Sequence, residues 1–156
     1  MMLRLYKPAL EEMWFRQELL SDLDTMSYNH AYGGVISFPK DKWQGWYHDW
    51  LVENENKRFY RYLLNMATNQ FIGEAAYYLD DSRGIYICDI IVYAKYRGNG
   101  YGTEGLLILC EAAKENGIDI LYDDIASDNP SVQLFLNNGF TIDFQTDDVI
   151  MVKRVL

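Results

Sequence analysis

The chain has 156 residues, of which 49% are hydrophobic and 15% aromatic, and its formal net charge is −9. This length and apolar content suit one folded domain over residues 1–156 and argue against disorder. The negative charge argues against a nucleic-acid partner, because such a protein needs a basic face for the phosphates. The same charge is compatible with a cationic partner such as an amine.

No apolar run in the sequence reaches transmembrane length, and residues 1–8 lack the long apolar core of a signal peptide. These features predict a cytoplasmic protein without a membrane partner. Cys88 and Cys110 lack the spacing of metal ligands and are expected to be reduced thiols. His30 and His48 are too isolated to suggest a metal site.

The first part of the chain predicts a strand and a helix, followed by an irregular stretch. Alternating residues 3–6 form the strand, and a helix begins near Pro8. Residues 26–34 then mix aromatic, amide, histidine and glycine residues. A long polar loop in a compact domain is more often functional than idle. We expect this stretch to cover one side of a functional site, and the alternative is a surface loop packed on itself.

A second helix is expected to begin at Pro39, with aromatic residues along one face. These residues are Trp43, Trp46, Tyr47 and Trp50, which fall at the spacing of a single helical stripe. Such a stripe usually packs into a core, and its solvent end can still line an acceptor pocket.

From residue 58 the hydrophobic period changes to two. It predicts strands over 59–64, 71–79 and 85–92, joined by short turns as an antiparallel meander. A helix over about 101–116 and a strand over 118–125 follow, and a right-handed crossover makes the last two strands parallel.

The end of the chain predicts one more helix and two more strands. Asp128 or Asn129 is expected to cap the helix, with Pro130 in its first turn. Residues 140–144 and 149–155 read as a closing antiparallel pair. The elements together predict an α+β fold, a mixed sheet flanked by helices.

A glycine-rich stretch, residues 97–103, lies between an apolar strand and a helix. Gly98, Gly100 and Gly102 lack the Cβ atoms that keep ligands away from the main chain. The free N–H groups at the helix start and the helix dipole make an anion site, usually for a phosphate or pyrophosphate. Arg97 adds a positive charge, and the alternative is a flexible loop.

Residues 100–105 also fit the dinucleotide fingerprint G-x-G-x-x-G, with Asp123 or Asp124 as the acid that follows. In that fold the strand runs almost directly into the first glycine, whereas here residues 93–97 intervene. Too little chain follows to build the remaining βαβ units. No Lys-Ser or Lys-Thr follows the glycines, so the stretch is not a Walker loop. A small nucleotide-binding oxidoreductase stays a third hypothesis.

Arg97-x-x-Gly100-x-Gly102 resembles the (Gln/Arg)-x-x-Gly-x-(Gly/Ala) motif of the GNAT superfamily of acetyl-CoA-dependent N-acetyltransferases. Residues 129–140 are similar to a second segment of that family, Asn…Leu-Tyr-x-x-x-Gly-Phe, with Phe135 where Tyr is usual. The resemblance covers about residues 70–145. It implies a mostly antiparallel sheet of about six or seven strands, about four helices, and two central strands that splay apart.

The resemblance also implies the cosubstrate and its contacts. Acetyl-CoA would pair through its pantetheine arm with the end of the strand 85–92, and an N–H near Ile91 or Val92 would bind the thioester carbonyl oxygen. The loop amides would hold the pyrophosphate, and Asn129 would contact the cofactor. The implied cofactor-binding residues are Ile90, Ile91, Val92, Arg97, Gly98, Asn99, Gly100, Tyr101, Gly102, Thr103, Asn129 and Phe135.

The chemistry implied is direct attack of an amine on the thioester, which requires a proton acceptor because an alkylammonium is mostly protonated. Asp89 and Asp124 are the candidates, with equal weight, and each has a structural alternative. Phe135 cannot protonate the leaving thiolate as the family's Tyr does. Water or a hydroxyl such as that of Tyr101 or Tyr122 would serve instead, or turnover is slow.

The leading hypothesis is an N-acetyltransferase that acts on a primary amine, either a small molecule or a protein N-terminus. The alternative is a GNAT-like module that binds acetyl-CoA without catalysis. A homodimer is compatible with the sequence.

Overall fold

The computed structural model describes residues 2–156, and the side chains of all of these except residues 31 and 32. Seven strands form one sheet, namely β1 (Leu3–Tyr6), β2 (Arg58–Asn65), β3 (Gln70–Asp80), β4 (Ile85–Val92), β5 (Ile120–Ala126), β6 (Thr141–Gln145) and β7 (Val149–Val155). The strand order is β1-β2-β3-β4-β5-β7-β6. β4 and β5 are parallel, and every other neighbouring pair in this sheet is antiparallel.

The α-helices are α1 (Met13–Ser21), α2 (Lys40–His48), α3 (Tyr101–Glu115) and α4 (Val132–Leu136). Short 3-10 segments occur at Leu10–Glu12, Thr25–Tyr32 and Ala94–Tyr96, and a π-helical turn at Asp49–Glu53 extends α2. The predicted α+β fold is confirmed, and its mixed sheet has seven strands where about six or seven were expected. A single parallel pair among the described strands is also too few for the dinucleotide-binding fold.

The sheet has a hydrophobic cluster on each face. On one face α3 packs through Leu106 and Leu109 against strand residues that include Cys88 and Leu121. On the other face α1 and the aromatic stripe of α2 pack against β2 and β3. Trp43, Trp46, Tyr47 and Trp50 are half-buried in this second cluster, as the stripe predicts.

The sheet opens between its two parallel strands. β4 and β5 pair at only two positions, Tyr86 with Leu121 and Ile87 with Tyr122. β5 continues to pair with β7 as far as Ala126, and β4 continues to pair with β3 as far as Val92. The carboxyl ends of β4 and β5 therefore diverge, which confirms the predicted splay of the central strands.

The regular part of α4 begins at Val132, later than a cap at Asp128 or Asn129 predicts. Asn129 still makes the hydrogen bond of a cap in the turn that leads into the helix, since its side-chain Oδ1 accepts the N–H of Ser131 at 2.9 Å. Within residues 2–156 no helix is both long and apolar enough to cross a membrane.

Candidate functional site

A cavity of about 720 Å³ opens where β4 and β5 diverge. Its walls come from the ends of both strands, the glycine-rich loop, the start of α4 and the 3-10 segment Thr25–Tyr32. The predicted residues that line it are Asp89, Ile90, Ile91, Val92, Arg97, Gly98, Gly100, Tyr101, Gly102, Asp124, Asn129 and Phe135. The predicted residues Asn99 and Thr103 do not line it.

The loop before α3 presents a run of free main-chain donors. The amides of residues 98–103 have no acceptor in the described part of the chain, and the first bond of α3 runs from Glu104 N to Gly100 O at 3.1 Å. Gly98 and Gly100 have left-handed φ angles of 83° and 79°. Alternation of this kind turns successive amides into a concave anion-binding surface, and the positive end of α3 reinforces it. The loop can therefore hold a diphosphate.

Two residues of the loop motif also have structural contacts. A Cβ at Gly102 would lie 3.3 Å from the Leu134 side chain, so this glycine allows α3 and α4 to approach closely. The Arg97 guanidinium donates to the carbonyl oxygens of Asp24 and Thr25, at 3.3 and 2.9 Å. Arg97 thus joins the loop to the 3-10 segment and leaves its positive charge at the cavity wall.

The end of β4 presents free amides to the gap. The N–H of Tyr93 donates to the carbonyl oxygen of Ile72 at 2.8 Å, so it points toward β3. Successive N–H groups of a strand point to opposite edges, so those of Val92 and Ile90 point toward β5. β5 does not pair with β4 at these positions. Of the two residues predicted to supply the carbonyl donor, Val92 has the suitable direction and Ile91 faces β3.

Asp89 lies in the wall of this cavity, where its side chain is exposed. Protein surrounds the carboxyl closely enough to weaken its hydration, and the negative charge of Glu74 acts in the same direction. Together they raise the pKa of Asp89 to about 6. A carboxyl with this pKa is ionised at neutral pH and is a better proton acceptor than an ordinary aspartate.

Asp124 lines the same cavity but is already paired. Its two carboxyl oxygens accept hydrogen bonds from the Arg83 guanidinium, at 3.2 and 2.8 Å. Arg83 is held in turn by Asp80, whose Oδ2 accepts from Nε at 2.8 Å. Both oxygens of Asp124 are thus occupied by a bidentate guanidinium, whereas none of the described side chains donates a hydrogen bond to Asp89.

The 3-10 segment Thr25–Tyr32 lines the cavity opposite the glycine-rich loop, through Ser27, Tyr28, Asn29 and His30. This placement agrees with the expectation that residues 26–34 cover one side of a site, although the side chains of residues 31 and 32 lie outside the described part. His30 Nε2 lies 3.4 Å from Asp128 Oδ2, and this contact connects the two walls.

Asp123 and Tyr28 line the cavity, although neither was assigned an individual role in acetyl-CoA chemistry from the sequence. Burial and the nearby charge of Asp89 raise the pKa of Asp123 well above its usual range, because two like charges in one site disfavour each other. Burial and the same aspartate also raise the pKa of Tyr28, which keeps its phenol protonated. The sequence signal for Asp123 was its place beside Asp124 in an alternating strand.

Phe135 is buried against Phe140, with their ring centroids 5.0 Å apart, and it has no hydroxyl to offer the cavity. Of the two hydroxyls considered as substitutes, only that of Tyr101 belongs to a cavity-lining residue. The Tyr101 oxygen accepts a hydrogen bond from Asn65 Nδ2 at 3.1 Å and keeps its own proton available.

The fold and the cavity define an α+β protein that can bind an anionic ligand between a splayed parallel strand pair. A family profile described as "Acetyltransferase (GNAT) family" matches residues 8–140. The chain therefore belongs to the acetyltransferase (GNAT) family. A comparison with curated protein sequences finds no match.

Solved structures agree on the fold. A GNAT-family acetyltransferase from Bacillus anthracis is 16% identical over 99% of this chain and 95% of its own, with a TM-score of 0.77. The protein yncA of Salmonella typhimurium, solved with acetyl-CoA, is 18% identical over 99% and 94%, with a TM-score of 0.72. Spermidine N-acetyltransferase from Vibrio cholerae, solved with CoA and spermine, is 17% identical over 99% and 95%, with a TM-score of 0.76. The ligands of the last two are consistent with acetyl-CoA as the cosubstrate.

The substitution Gly100→Val tests the anion site. Valine rarely adopts the φ of 79° that this position requires, so the loop should change shape and its amides should lose their common direction. Loss of one hydrogen bond to a charged group is worth about 1.5–3 kcal/mol, so we expect acetyl-CoA binding at least about tenfold weaker by calorimetry.

Gly117→Val is the matched control. Gly117 also has a left-handed φ, 85°, and a Cβ there would also meet nothing within 4 Å, but it lies at the far end of α3. Both variants should lose similar stability, and only Gly100→Val should lose affinity for acetyl-CoA. Equal affinity in the two variants would contradict the assignment of the loop to the diphosphate.

Proposed function

We propose that this chain transfers the acetyl group of acetyl-CoA to a primary amine, a small molecule or a protein N-terminus, by direct attack of the amine on the thioester. The observation that carries the proposal is the convergence of three features on one cavity. These are the free amides of residues 98–103, the unpaired edge of β4 and the carboxyl of Asp89.

The residues present suit acetyl-CoA. The amides of residues 98–103 would bind its diphosphate, and the open edge at Ile90 and Val92 would hydrogen-bond its pantetheine arm. Acetyl-CoA supplies an activated acetyl thioester. The N–H of Val92 would donate to the thioester carbonyl oxygen, on which negative charge develops, and a preorganised donor of this kind is worth roughly 3–4 kcal/mol of barrier.

Asp89 would act as the general base. Its carboxylate would accept the proton that the ammonium must lose before or during attack, directly or through one water molecule. Asp124 is the second candidate, and its bidentate pairing with Arg83 is the reason to rank it lower. Phe135 cannot protonate the leaving sulfur, so water or the Tyr101 hydroxyl would do so.

The acceptor would be cationic. Four aspartates line the cavity, namely Asp89, Asp123, Asp124 and Asp128. Arg83 pairs with Asp124 and the pKa of Asp123 is raised, so Asp89 and Asp128 supply most of the negative charge. The lining cation is Arg97, whose guanidinium donates to main-chain carbonyls. A negative field of this kind attracts an alkylammonium and raises its local concentration. The spermine bound by the Vibrio cholerae neighbour makes polyamines a sensible first group of acceptors to test.

A second candidate function is a module that binds acetyl-CoA without transferring the acetyl group. The observation that favours it is Phe135, which is buried and has no hydroxyl at the place where the resemblance gives a general acid. Loss of such an acid slows a reaction by up to about 10²–10⁴-fold.

Release of CoA thiol on adding amines separates the two functions. The panel should contain polyamines, monoamines and peptides with free N-termini, and a reaction without amine gives the background hydrolysis. We expect amine-dependent release, greatest with the more highly charged acceptors. Acetyl-CoA binding without release across the whole panel would favour the non-catalytic module, and absence of both would contradict both functions.

A further inference from the structure

A buried ion pair lies beneath the proposed acceptor side, outside the cavity lining. Glu74, in the middle of β3, is 5% exposed, and its Oε2 lies 3.8 Å from Nε of Arg16 on α1. The Tyr60 hydroxyl donates a hydrogen bond to the same carboxyl oxygen. Burying such a pair gives little stability by itself, because desolvation offsets the Coulomb attraction. Its presence in the core calls for another explanation.

Arg16 is held mainly by aromatic rings. Its guanidinium carbon lies 3.9 Å from the ring centroid of Trp46 and 4.4 Å from that of Phe38. Its Nε is buried and has no hydrogen-bond partner among the described residues. The cation is therefore positioned by stacking and by the charge of Glu74, without bidentate hydrogen bonds to the carboxylate.

Glu74 and Asp89 share one face of the sheet. Glu74 pairs in register with Ile91, and Asp89 pairs with Ala76, so the two carboxyls occupy diagonal positions on neighbouring strands. Side chains in that relation lie about 7–8 Å apart. At this distance, with Glu74 buried, a charge on one group changes the proton affinity of the other.

We propose that the buried Arg16–Glu74 pair sets the proton affinity of Asp89, with Glu74 as a positioning residue that acts through Asp89 and touches no substrate. This inference rests on the proposed function, because it gives the pair a purpose only if Asp89 is the base. Burial is the largest cause of the raised pKa of Asp89; Glu74 raises it further, and Arg16 opposes Glu74 more weakly.

Other groups also face Asp89, and none of them replaces Glu74 in this role. Burial and the charge of Asp89 raise the pKa of Asp123, on β5, well above its usual range, and both carboxyl oxygens of Asp124 accept hydrogen bonds from Arg83. Tyr28 from the 3-10 segment and Tyr78 on β3 have raised pKa values and stay uncharged near neutral pH. Burial raises the pKa of Glu74 itself, while Arg16 and the Tyr60 hydrogen bond oppose that rise. Glu74 in its ionised form is therefore the negative charge to which the proton affinity of Asp89 responds.

Titration of the Asp89 side-chain carboxyl by ¹³C NMR, without acetyl-CoA or amine, tests the proposal. In Glu74→Gln the negative charge is lost and Arg16 remains, so the Asp89 pKa should fall below that of the wild type. In the double variant Arg16→Met with Glu74→Gln both charges are lost, and the pKa should lie between the two. Glu111→Gln, on an exposed turn of α3, is the matched control and should leave the titration unchanged.

The pH dependence of kcat/KM should follow the Asp89 pKa in the wild type and in Glu74→Gln. With a pKa of about 6 for Asp89, wild-type kcat/KM at about pH 5.5 should be roughly a quarter of its plateau. Glu74→Gln should retain roughly twofold more of its own plateau at that pH. An Asp89 titration unchanged in Glu74→Gln overturns the proposal, even if kcat falls, since a structural role alone would do that.

If Glu74→Gln does not fold, the double variant still tests the proposal. It should fold because removing both partners leaves no unpaired buried charge. Its Asp89 pKa should be below the wild-type value, and an unchanged value overturns the proposal. The NMR titration uses no substrate, so its failure is distinct from a failure of the acetyltransferase function. Full activity of Asp89→Asn would contradict the base while leaving the titration order intact.

Discussion

Asp89→Asn is expected to lower kcat for amine acetylation by about 10²–10⁴-fold near neutral pH, which is the usual contribution of a general base. Asparagine has nearly the shape of aspartate but cannot accept the proton that the attacking ammonium must lose. Acetyl-CoA affinity should change little, because the proposed cofactor contacts are main-chain N–H groups. Steady-state kinetics and calorimetric titration with acetyl-CoA measure the two quantities separately.

The pH profile gives this prediction a second readout. The pKa of Asp89 is raised to about 6, so the carboxylate form increases as the pH rises through that value. Wild-type kcat/KM should therefore rise through about pH 6 and then level off. The kcat/KM of Asp89→Asn should not rise near pH 6. Its loss of kcat/KM relative to the wild type should decrease as the pH approaches the pKa of the amine, about 10, because the free amine needs no base.

Two variants separate Asp89 from other carboxylates. Asp41→Asn, in the exposed first turn of α2, is the matched control and should keep the wild-type kcat. Asp124→Asn tests the competing base and should lose less activity than Asp89→Asn, since Arg83 already occupies both oxygens of Asp124. Wild-type kcat in Asp89→Asn together with a large loss in Asp124→Asn would reverse the assignment.

Local signals in the sequence were sufficient for most of the fold. The strand Ile85–Val92 is bounded by a turn before it and by the glycine-rich stretch after it, and its predicted limits match the structure. The start of α4 was less well defined by the sequence. Asn129 accepts the N–H of Ser131 as a cap does, but a turn separates it from the regular helix at Val132, and both arrangements leave the same sequence pattern.

The cavity was predictable as far as it is built from continuous segments. The end of β4, the glycine loop and residues 129–135 each carry their own motif, and all three line it. Choosing between Asp89 and Asp124 required tertiary structure, because the partner of Asp124 is Arg83 in the β3–β4 turn. No periodicity in either segment reveals that pairing.

The Arg16–Glu74 pair could not be predicted from local sequence patterns either, because it also depends on tertiary structure. Arg16 is one polar residue on an amphipathic helix, and Glu74 is one polar residue in a buried strand. Only the packing of α1 on β3 brings them within 3.8 Å. The usable signal was a carboxylate in the middle of an apolar strand, since such a group must be paired or have a shifted pKa.

Gly73→Ala is expected to lower kcat by about 10²-fold, although Gly73 lies outside the cavity lining. A Cβ at this position would lie 2.1 Å from the carbonyl oxygen of Ile91 and 3.0 Å from Val92 Cα. Both neighbours are main-chain atoms, so no side-chain rotation can relieve the contact, and the end of β4 must move. Gly73 therefore fixes the distance between β3 and the strand that carries the proposed Val92 donor.

The size of that movement explains why catalysis should suffer more than folding. To reach an acceptable contact the strands must separate by about 1 Å, a displacement that can cost a catalytic site 10²-fold when its donors are preorganised. Overpacking of this kind costs about 1–3 kcal/mol of stability, which a folded domain of this length can tolerate. Thermal unfolding and steady-state kinetics on the same sample measure the two effects.

Gly45→Ala is the matched control for the added methyl group. Gly45 lies on the exposed side of α2, and a Cβ there would meet nothing within 4 Å. Alanine at that helical position should raise stability by about 0.5–1 kcal/mol and leave kcat unchanged. If Gly73→Ala folds and keeps wild-type kcat, the donor at the end of β4 does not take part in the reaction. The carbonyl oxygen of the thioester would then have to be stabilised from another wall of the cavity.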